Sequence, residues 1–219
     1  MARAELTDRV VAVRERIARA GGDPDGVTIV AVTKGFGAEV VADAVATGLA
    51  DIGENYAQEL LGKAAEVLDV RWHFVGAIQR NKVKALAPVV HLWHAVDRAS
   101  VADEIARRAP GAAVLVQVNL TDDPHRAGCP WSEVGDVVAH AAGVGLDVRC
   151  LMAIGPPGPP DAARPGFRRV RETADALGLA DCSMGMTADL EVAVAEGATI
   201  VRVGTALFGP RSARREMRR

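Results

Sequence analysis

The sequence predicts an α/β protein whose parallel strands alternate with helices and close into a (β/α)8 TIM barrel. Short apolar, β-branched runs are separated by alanine-rich stretches with helical spacing, and eight such runs occur. An open doubly wound sheet is disfavoured, because no GxGxxG follows the first run and no GxxxxGK[ST] occurs anywhere. No linker divides the chain, so we expect a single domain over residues 1–219.

The first predicted element is an amphipathic helix over residues 2–20. Its apolar residues fall on one stripe, arginines and acids lie opposite, and Gly21-Gly22 ends it. The stripe consists of Leu6, Val10, Val13 and Ile17. Because this helix precedes the first strand, we expect it to be additional to the barrel and to pack against its outside or bottom.

The barrel elements then follow in order along the chain. The predicted strands are 27–33, 50–55, 71–76, 91–97, 112–119, 148–155, 181–187 and 199–206. The predicted helices are 38–47, 57–69, 81–87, 100–109, 132–143, 162–178 and 188–196, and an eighth begins near residue 206. The proline-rich stretch 155–166 is interpreted as a long loop after the sixth strand.

Composition and charge exclude several classes of protein. The net charge of −2 predicts no attraction to nucleic acid or to an anionic membrane, and the basic end RSARREMRR is interpreted as a solvated terminus. Three cysteines without metal or redox spacing, a charged start and no apolar run of roughly 20 residues predict a cytoplasmic protein. The histidines form no ligand pattern with the cysteines, so no metal is expected.

A lysine stands at the end of the first apolar strand. The chain contains 22 arginines and four lysines, so Lys34 is interpreted as a residue needed for its nucleophilic nitrogen. The alternatives are a lysine that extends from a strand end to solvent, or one that pairs with Glu54. Barrel enzymes place their chemistry where strands end, and Asn55 follows the second strand in the same way.

Two glycine-containing loops follow the seventh and eighth strands, and each leads into a helix. They carry Thr187, which we expect to be a helix N-cap, and Gly204-Thr205. Loops at these two places bind phosphate in many barrels of this kind, so they predict a phosphate site. The alternative is that both threonines only cap helices.

Arg202 lies within an otherwise apolar strand, where an unpaired charge would be costly. It therefore pairs with an internal carboxylate or faces a polar ligand at the barrel mouth, and the second interpretation is favoured. His73, between Trp72 and Phe74, is interpreted as a hydrogen-bonded core residue.

Six motifs together resemble, in order and spacing, the YggS/PROSC family of pyridoxal 5'-phosphate (PLP) homeostasis proteins. The resemblance covers residues 27 to 211 and rests on AVTKG, GENYAQE, WHFVGAIQRNK, LMAIG, SMGMTADLEVAV and TIVRVGTALFGPR. It implies the PLP fold type III barrel, which is like the N-terminal domain of alanine racemase. Family members commonly carry a lysine in the loop after the fifth strand, where this chain has residues 123–126.

The resemblance also implies roles for individual residues. Lys34 would form the internal aldimine with PLP, Arg202 would lie near the pyridine nitrogen and Asn55 would line the pocket. Thr187, Gly204 and Thr205 would hold the phosphate, and His73 is carried over only as a possible wall residue.

The function implied is a PLP carrier without robust catalysis of its own. A guanidinium beside the pyridine nitrogen disfavours its protonation and so weakens the electron sink, and no second domain is expected to supply a further base. Apo PLP-dependent enzymes are the expected partners, and the family suggests a monomer. A small single-domain amino-acid racemase, an aldolase that uses Lys34 without PLP, and a barrel that has lost its ligand remain alternatives.

Overall fold

Eight parallel strands form a closed barrel in the computed structural model, which describes residues 3–121 and 123–210. Each strand pairs with the next along the chain, and the last pairs with the first, with Val30 opposite Arg202. The strands are β1 (Thr28–Val32), β2 (Asp51–Glu54), β3 (Arg71–Phe74), β4 (Val90–Val96), β5 (Ala113–Val118), β6 (Asp147–Ala153), β7 (Asp181–Ser183) and β8 (Ile200–Val203). The predicted fold class is confirmed.

Helices form the outer layer of the barrel. They are α1 (Arg3–Arg19), α2 (Ala38–Ala46), α3 (Ala57–Ala64), α4 (Arg80–Leu86), α5 (Ala99–Arg108), α6 (Val134–Gly143), α7 (Arg164–Ala176), α8 (Leu190–Ala195) and α9 (Thr205–Phe208). Short 3-10 turns precede α6 and α7 at Trp131–Glu133 and Pro160–Ala163. None of the helices in the described ranges is long and apolar enough to cross a membrane.

The additional N-terminal helix packs as the sequence predicted. α1 lies against α2, α8 and α9, outside the strands. Its apolar stripe, predicted from spacing alone, is the face that is buried. α1 is therefore packed against α8 and α9, the helices that follow the loops after β7 and β8.

The loop after β7 is longer than predicted. β7 ends at Ser183 rather than 187, because Gly185 adopts a φ of +90°, a left-handed conformation that ends an extended strand. α8 then begins at Leu190, and the carboxylate of Asp189 accepts a hydrogen bond from the N–H of Met186 at 2.6 Å. The basic segment 211–219, interpreted above as a solvated terminus, lies outside the described residues.

Candidate functional site

A cavity of about 350 Å³ opens at the C-terminal ends of the barrel strands. That volume falls in the range of small-molecule sites, roughly 300–1,000 Å³. Its walls combine apolar side chains of Val32, Val75, Ile154 and Met186 with polar ones. The structure brings together all six residues that the sequence singled out, which are Lys34, Asn55, Thr187, Arg202, Gly204 and Thr205.

Lys34 follows β1 in a segment that α3 holds in place. The carbonyl of Thr33 accepts a hydrogen bond from Nζ of Lys63 at 2.8 Å, and the N–H of Gly35 donates to the carboxylate of Glu59 at 2.7 Å. Gly35 has a φ of +80°, so the chain turns sharply there. The residues on both sides of Lys34 are thus fixed by α3, which places its side chain at the cavity.

Glu54, proposed above as an alternative partner of Lys34, is bound by another lysine. Its fully buried carboxylate forms an ion pair with Lys63 and accepts a hydrogen bond from Oγ1 of Thr33 at 2.6 Å. Burial raises the pKa of Glu54, and the charge of Lys63 and these hydrogen bonds oppose that rise. This buried pair lies directly beneath the segment that carries Lys34.

The loops after β7 and β8 are joined through Thr187. Its Oγ1 accepts a hydrogen bond at 3.1 Å from the N–H of Ala206, in the first turn of α9. Its carbonyl accepts one at 2.8 Å from Nη2 of Arg16 in α1. The expectation that Thr187 is the N-cap of the following helix is therefore wrong, since Asp189 precedes α8 and the hydroxyl of Thr187 serves the neighbouring helix.

Arg202 is almost fully buried in β8, and its guanidinium binds neutral acceptors. Nη1 donates to the carbonyl and to Oγ of Ser183 at 2.8 and 2.7 Å, and Nη2 donates to the carbonyl of Ala153 at 2.8 Å. No salt bridge within the described residues involves Arg202, so the internal-carboxylate interpretation is wrong. Burial lowers the pKa of Arg202 to about 10, with Asp189 opposing the change, so the group remains cationic at neutral pH.

His73 does not line the cavity. Its Nδ1 lies 2.8 Å from Nε2 of His94, and its Nε2 lies 2.9 Å from Oδ1 of Asp51. Both ring nitrogens are thus engaged inside the barrel, as a hydrogen-bonded core histidine requires. The role as a possible wall residue is wrong, because the side chain points along the barrel interior rather than to its mouth.

Several residues around the site were missed by the sequence analysis. His94 and Ser183 lie in apolar strands, so the signal that identified Arg202 could also have drawn attention to them. Arg16 and Lys63 had no such signal, because a basic residue on a surface helix is ordinary. Their roles depend on hydrogen bonds to residues far away in the sequence, from Arg16 to the carbonyl of Thr187 and from Lys63 to the carbonyl of Thr33.

Comparisons with known proteins show the class of barrel and the protein family to which this chain belongs. The family model of the alanine racemase N-terminal domain matches residues 5–212, so the chain is a barrel of that class. The pyridoxal phosphate homeostasis protein of Pseudomonas aeruginosa is 43% identical over 212 residues, with 91% of each chain covered. Its counterpart in Escherichia coli K12 is 32% identical over 229 residues, covering 94% of this chain and 97% of the other.

Solved structures agree with these relatives. PipY of Synechococcus elongatus, determined with PLP bound, superposes with a TM-score of 0.80 at 32% identity, covering 90% of this chain and 100% of that one. A protein from Bifidobacterium adolescentis superposes with a TM-score of 0.88 at 32% identity, covering 94% and 95%. The chain therefore belongs to the YggS/PROSC family of pyridoxal phosphate homeostasis proteins, and the resemblance noted in the sequence is confirmed.

Proposed function

We propose that this chain binds PLP in the cavity at the barrel mouth and takes part in the homeostasis of that cofactor. It would hold PLP reversibly in the cytoplasm and pass it to apo PLP-dependent enzymes, as a single-domain monomer without robust catalysis of its own. Support comes from relatives whose names state this role and from the PLP bound by PipY. Membranes and nucleic acids are not among the proposed partners.

The residues of the cavity suit each part of PLP. When bound, PLP supplies an aldehyde that condenses with a primary amine and releases water, and Lys34 provides an amine at the cavity. Thr187 and Thr205 add hydroxyl groups to the same cavity, where they suit a phosphate. The apolar side chains of Val32, Val75 and Ile154 suit an aromatic ring, and Asn55 adds an amide group to the wall of the cavity.

Lys34 must be deprotonated to act as a nucleophile, although a lysine has a reference pKa of about 10.4. We propose that Lys34, which lines the cavity, forms the covalent bond to the aldehyde.

One observation carries the proposal of a carrier rather than an enzyme. Among the described residues that line the cavity none is acidic, and the two basic ones are Lys34 and the buried Arg202. PLP is a stronger electron sink when its pyridine nitrogen is protonated, a state that an acidic partner stabilises and a cation destabilises. The cavity therefore offers groups that would retain PLP, and the buried charge of Arg202 would oppose the use of PLP as an electron sink.

The test is a PLP titration of the purified full-length protein, followed by visible absorbance. Lys34→Ala should abolish the long-wavelength absorbance of bound PLP while the far-UV circular dichroism of the barrel is retained. Lys84→Ala is the matched control, because Lys84 is exposed on α4 and should leave the titration unchanged. Equal absorbance in the Lys34 and Lys84 variants would overturn the assignment of the amine.

The racemase alternative is distinguished by isotope exchange. A racemase would replace the α-deuterium of an amino acid with solvent hydrogen, whereas a carrier would leave it in place. A carrier should instead restore the activity of an apo PLP-dependent enzyme when the loaded protein is added. Rapid α-deuterium loss that depends on Lys34 would contradict the proposal.

A further inference from the structure

A line of polar side chains crosses the inside of the barrel from its N-terminal end to the cavity. Asp51 at the start of β2 lies 2.9 Å from Nε2 of His73, and Nδ1 of His73 lies 2.8 Å from Nε2 of His94. Nδ1 of His94 lies 3.3 Å from Oγ of Ser183, which in turn accepts from Nη1 of Arg202 at 2.7 Å. Five strands thus contribute one residue each to a continuous hydrogen-bonded chain.

The middle of this chain is isolated from water. His94 and Ser183 are fully buried, and His73 and Arg202 are nearly so. Asp51 is the exception, because its side chain is 14% exposed and forms a bidentate ion pair with Arg71 at the barrel surface. Polar groups buried this deeply are costly unless each is satisfied, so each member of the hydrogen-bond chain depends on its neighbours.

The carboxylate end of this hydrogen-bond chain sets the direction of its hydrogen bonds when the two histidines are neutral. A guanidinium can only donate and a carboxylate can only accept. Ser183 accepts from Arg202 and keeps one proton that it can donate to Nδ1 of His94. With both rings neutral, His73 donates from Nε2 to Asp51 and His94 donates from Nε2 to Nδ1 of His73, so each is an Nε2–H tautomer.

We infer that Asp51, His73, His94 and Ser183 are positioning residues, which hold the guanidinium of Arg202 at the cavity through one polarised hydrogen-bond chain anchored at Asp51. This hydrogen-bond chain is present in the protein without any ligand, but its importance for binding rests on the proposed function. Burial lowers the pKa of His94 well below its usual value, and the charge of Arg202 acts in the same direction, in agreement with a neutral ring. The ion pair at the opposite end of the barrel thus contributes to the orientation of Arg202, whose guanidinium also donates to the carbonyls of Ser183 and Ala153.

The test is the tautomeric state of His94, read from the ring ¹⁵N signals of the histidine-labelled full-length chain near neutral pH. The wild type should show a single Nε2–H tautomer for both His73 and His94. Asp51→Ala removes the terminal acceptor, so His94 should change to a mixture of tautomers although it does not touch residue 51. A purely structural role for Asp51 would leave the signals of His94 unchanged.

Asp147→Ala is the matched control for this experiment. Asp147 also begins a strand at the N-terminal end of the barrel and also binds a nearby arginine, Arg149, at 2.8 Å. It has no hydrogen bond to a histidine within the described residues. The inference is overturned if His94 has its proton on Nδ1 in the wild type, or if the Asp51 and Asp147 variants give the same spectra of His94.

A second variant tests the end of the chain that meets the cavity. Ser183→Ala is a small change that removes one of the three acceptors of Arg202 and the donor to His94, and it should weaken PLP binding by about 2- to 10-fold. Unchanged affinity would overturn the positioning role of Ser183. If the wild type failed to bind PLP, the proposed function would fail, while the ¹⁵N spectra would still decide whether the chain exists.

Discussion

Among the described residues, two cations are buried, and their charges are balanced in different ways. Lys63 lies between α3 and the strands, where it forms an ion pair with the carboxylate of Glu54 and donates to the carbonyl of Thr33. Arg202 lies inside the barrel, where its hydrogen bonds go to two carbonyl groups and a hydroxyl. The charge of Lys63 is thus neutralised by its neighbour, whereas that of Arg202 has no direct anionic partner.

The difference shows how one fold separates support from ligand binding. The pair of Lys63 and Glu54 is closed off from the cavity and fixes the segment that leads to Lys34. Arg202 is oriented by neutral groups and lines the cavity, so its positive charge remains available to whatever enters. In this barrel the buried cation with a carboxylate partner has a structural role, and the buried cation with neutral partners lines the candidate ligand site.

Removing Lys63 should have the largest effect on stability. Lys63→Met would leave the carboxylate of Glu54 buried without its cation, at a cost of about 3–5 kcal/mol in the free energy of unfolding. Urea denaturation measures this, with Lys84→Met as the exposed control, which should lie within about 0.5 kcal/mol of the wild type. The double variant with Glu54→Leu should recover most of the loss, and a single variant that loses less than about 1 kcal/mol would contradict the structural role.

Removing Arg202 should cost less stability and more ligand affinity. Arg202→Met leaves three acceptors without their donor, but it also relieves the desolvation of a charge, so we expect a loss of about 1–3 kcal/mol. The same variant should bind PLP more weakly, because a cation disappears from the cavity. A PLP titration beside the urea curve checks both, and unchanged affinity would show that the charge does not act on the ligand.

The smallest effect should be a pH dependence from His94, which faces His73, Ser183 and Arg202. Its folded pKa is lowered, so the unfolded chain binds the proton more readily and stability falls as pH drops below the unfolded value of about 6.5. We expect a loss of about 1 kcal/mol between pH 6.5 and 5.5. His94→Gln should remove that component, and identical slopes in the two proteins would contradict it.

The sequence predicted the fold more completely than the contacts of the site. Strand number, helix order and the stripe of α1 follow from apolar spacing, which is a local property. Lys34 and Arg202 were identifiable because a charge at the end or middle of an apolar strand is unusual. Both line the cavity, together with the four other site residues that the sequence singled out.

What the sequence could not give are contacts between distant residues. The hydroxyl of Thr187 binds the N–H of Ala206, and Oγ of Ser183 meets His94 across 89 positions of the chain. Nothing local marks Lys63, rather than Lys34, as the partner of Glu54. The length of β7 was overestimated for a related reason, since a side chain at Gly185 would clash with Ala193 in α8, a contact that exists only in the folded protein.

The most direct test of the central claim is a peptide map after borohydride reduction. The full-length protein is incubated with PLP, reduced so that any bond between an amine and the aldehyde becomes permanent, digested and analysed by mass spectrometry. The account predicts that the added mass lies on the peptide containing Lys34, at one equivalent per chain. A modification spread over Lys63, Lys82 and Lys84, with Lys34 unmodified, would contradict it.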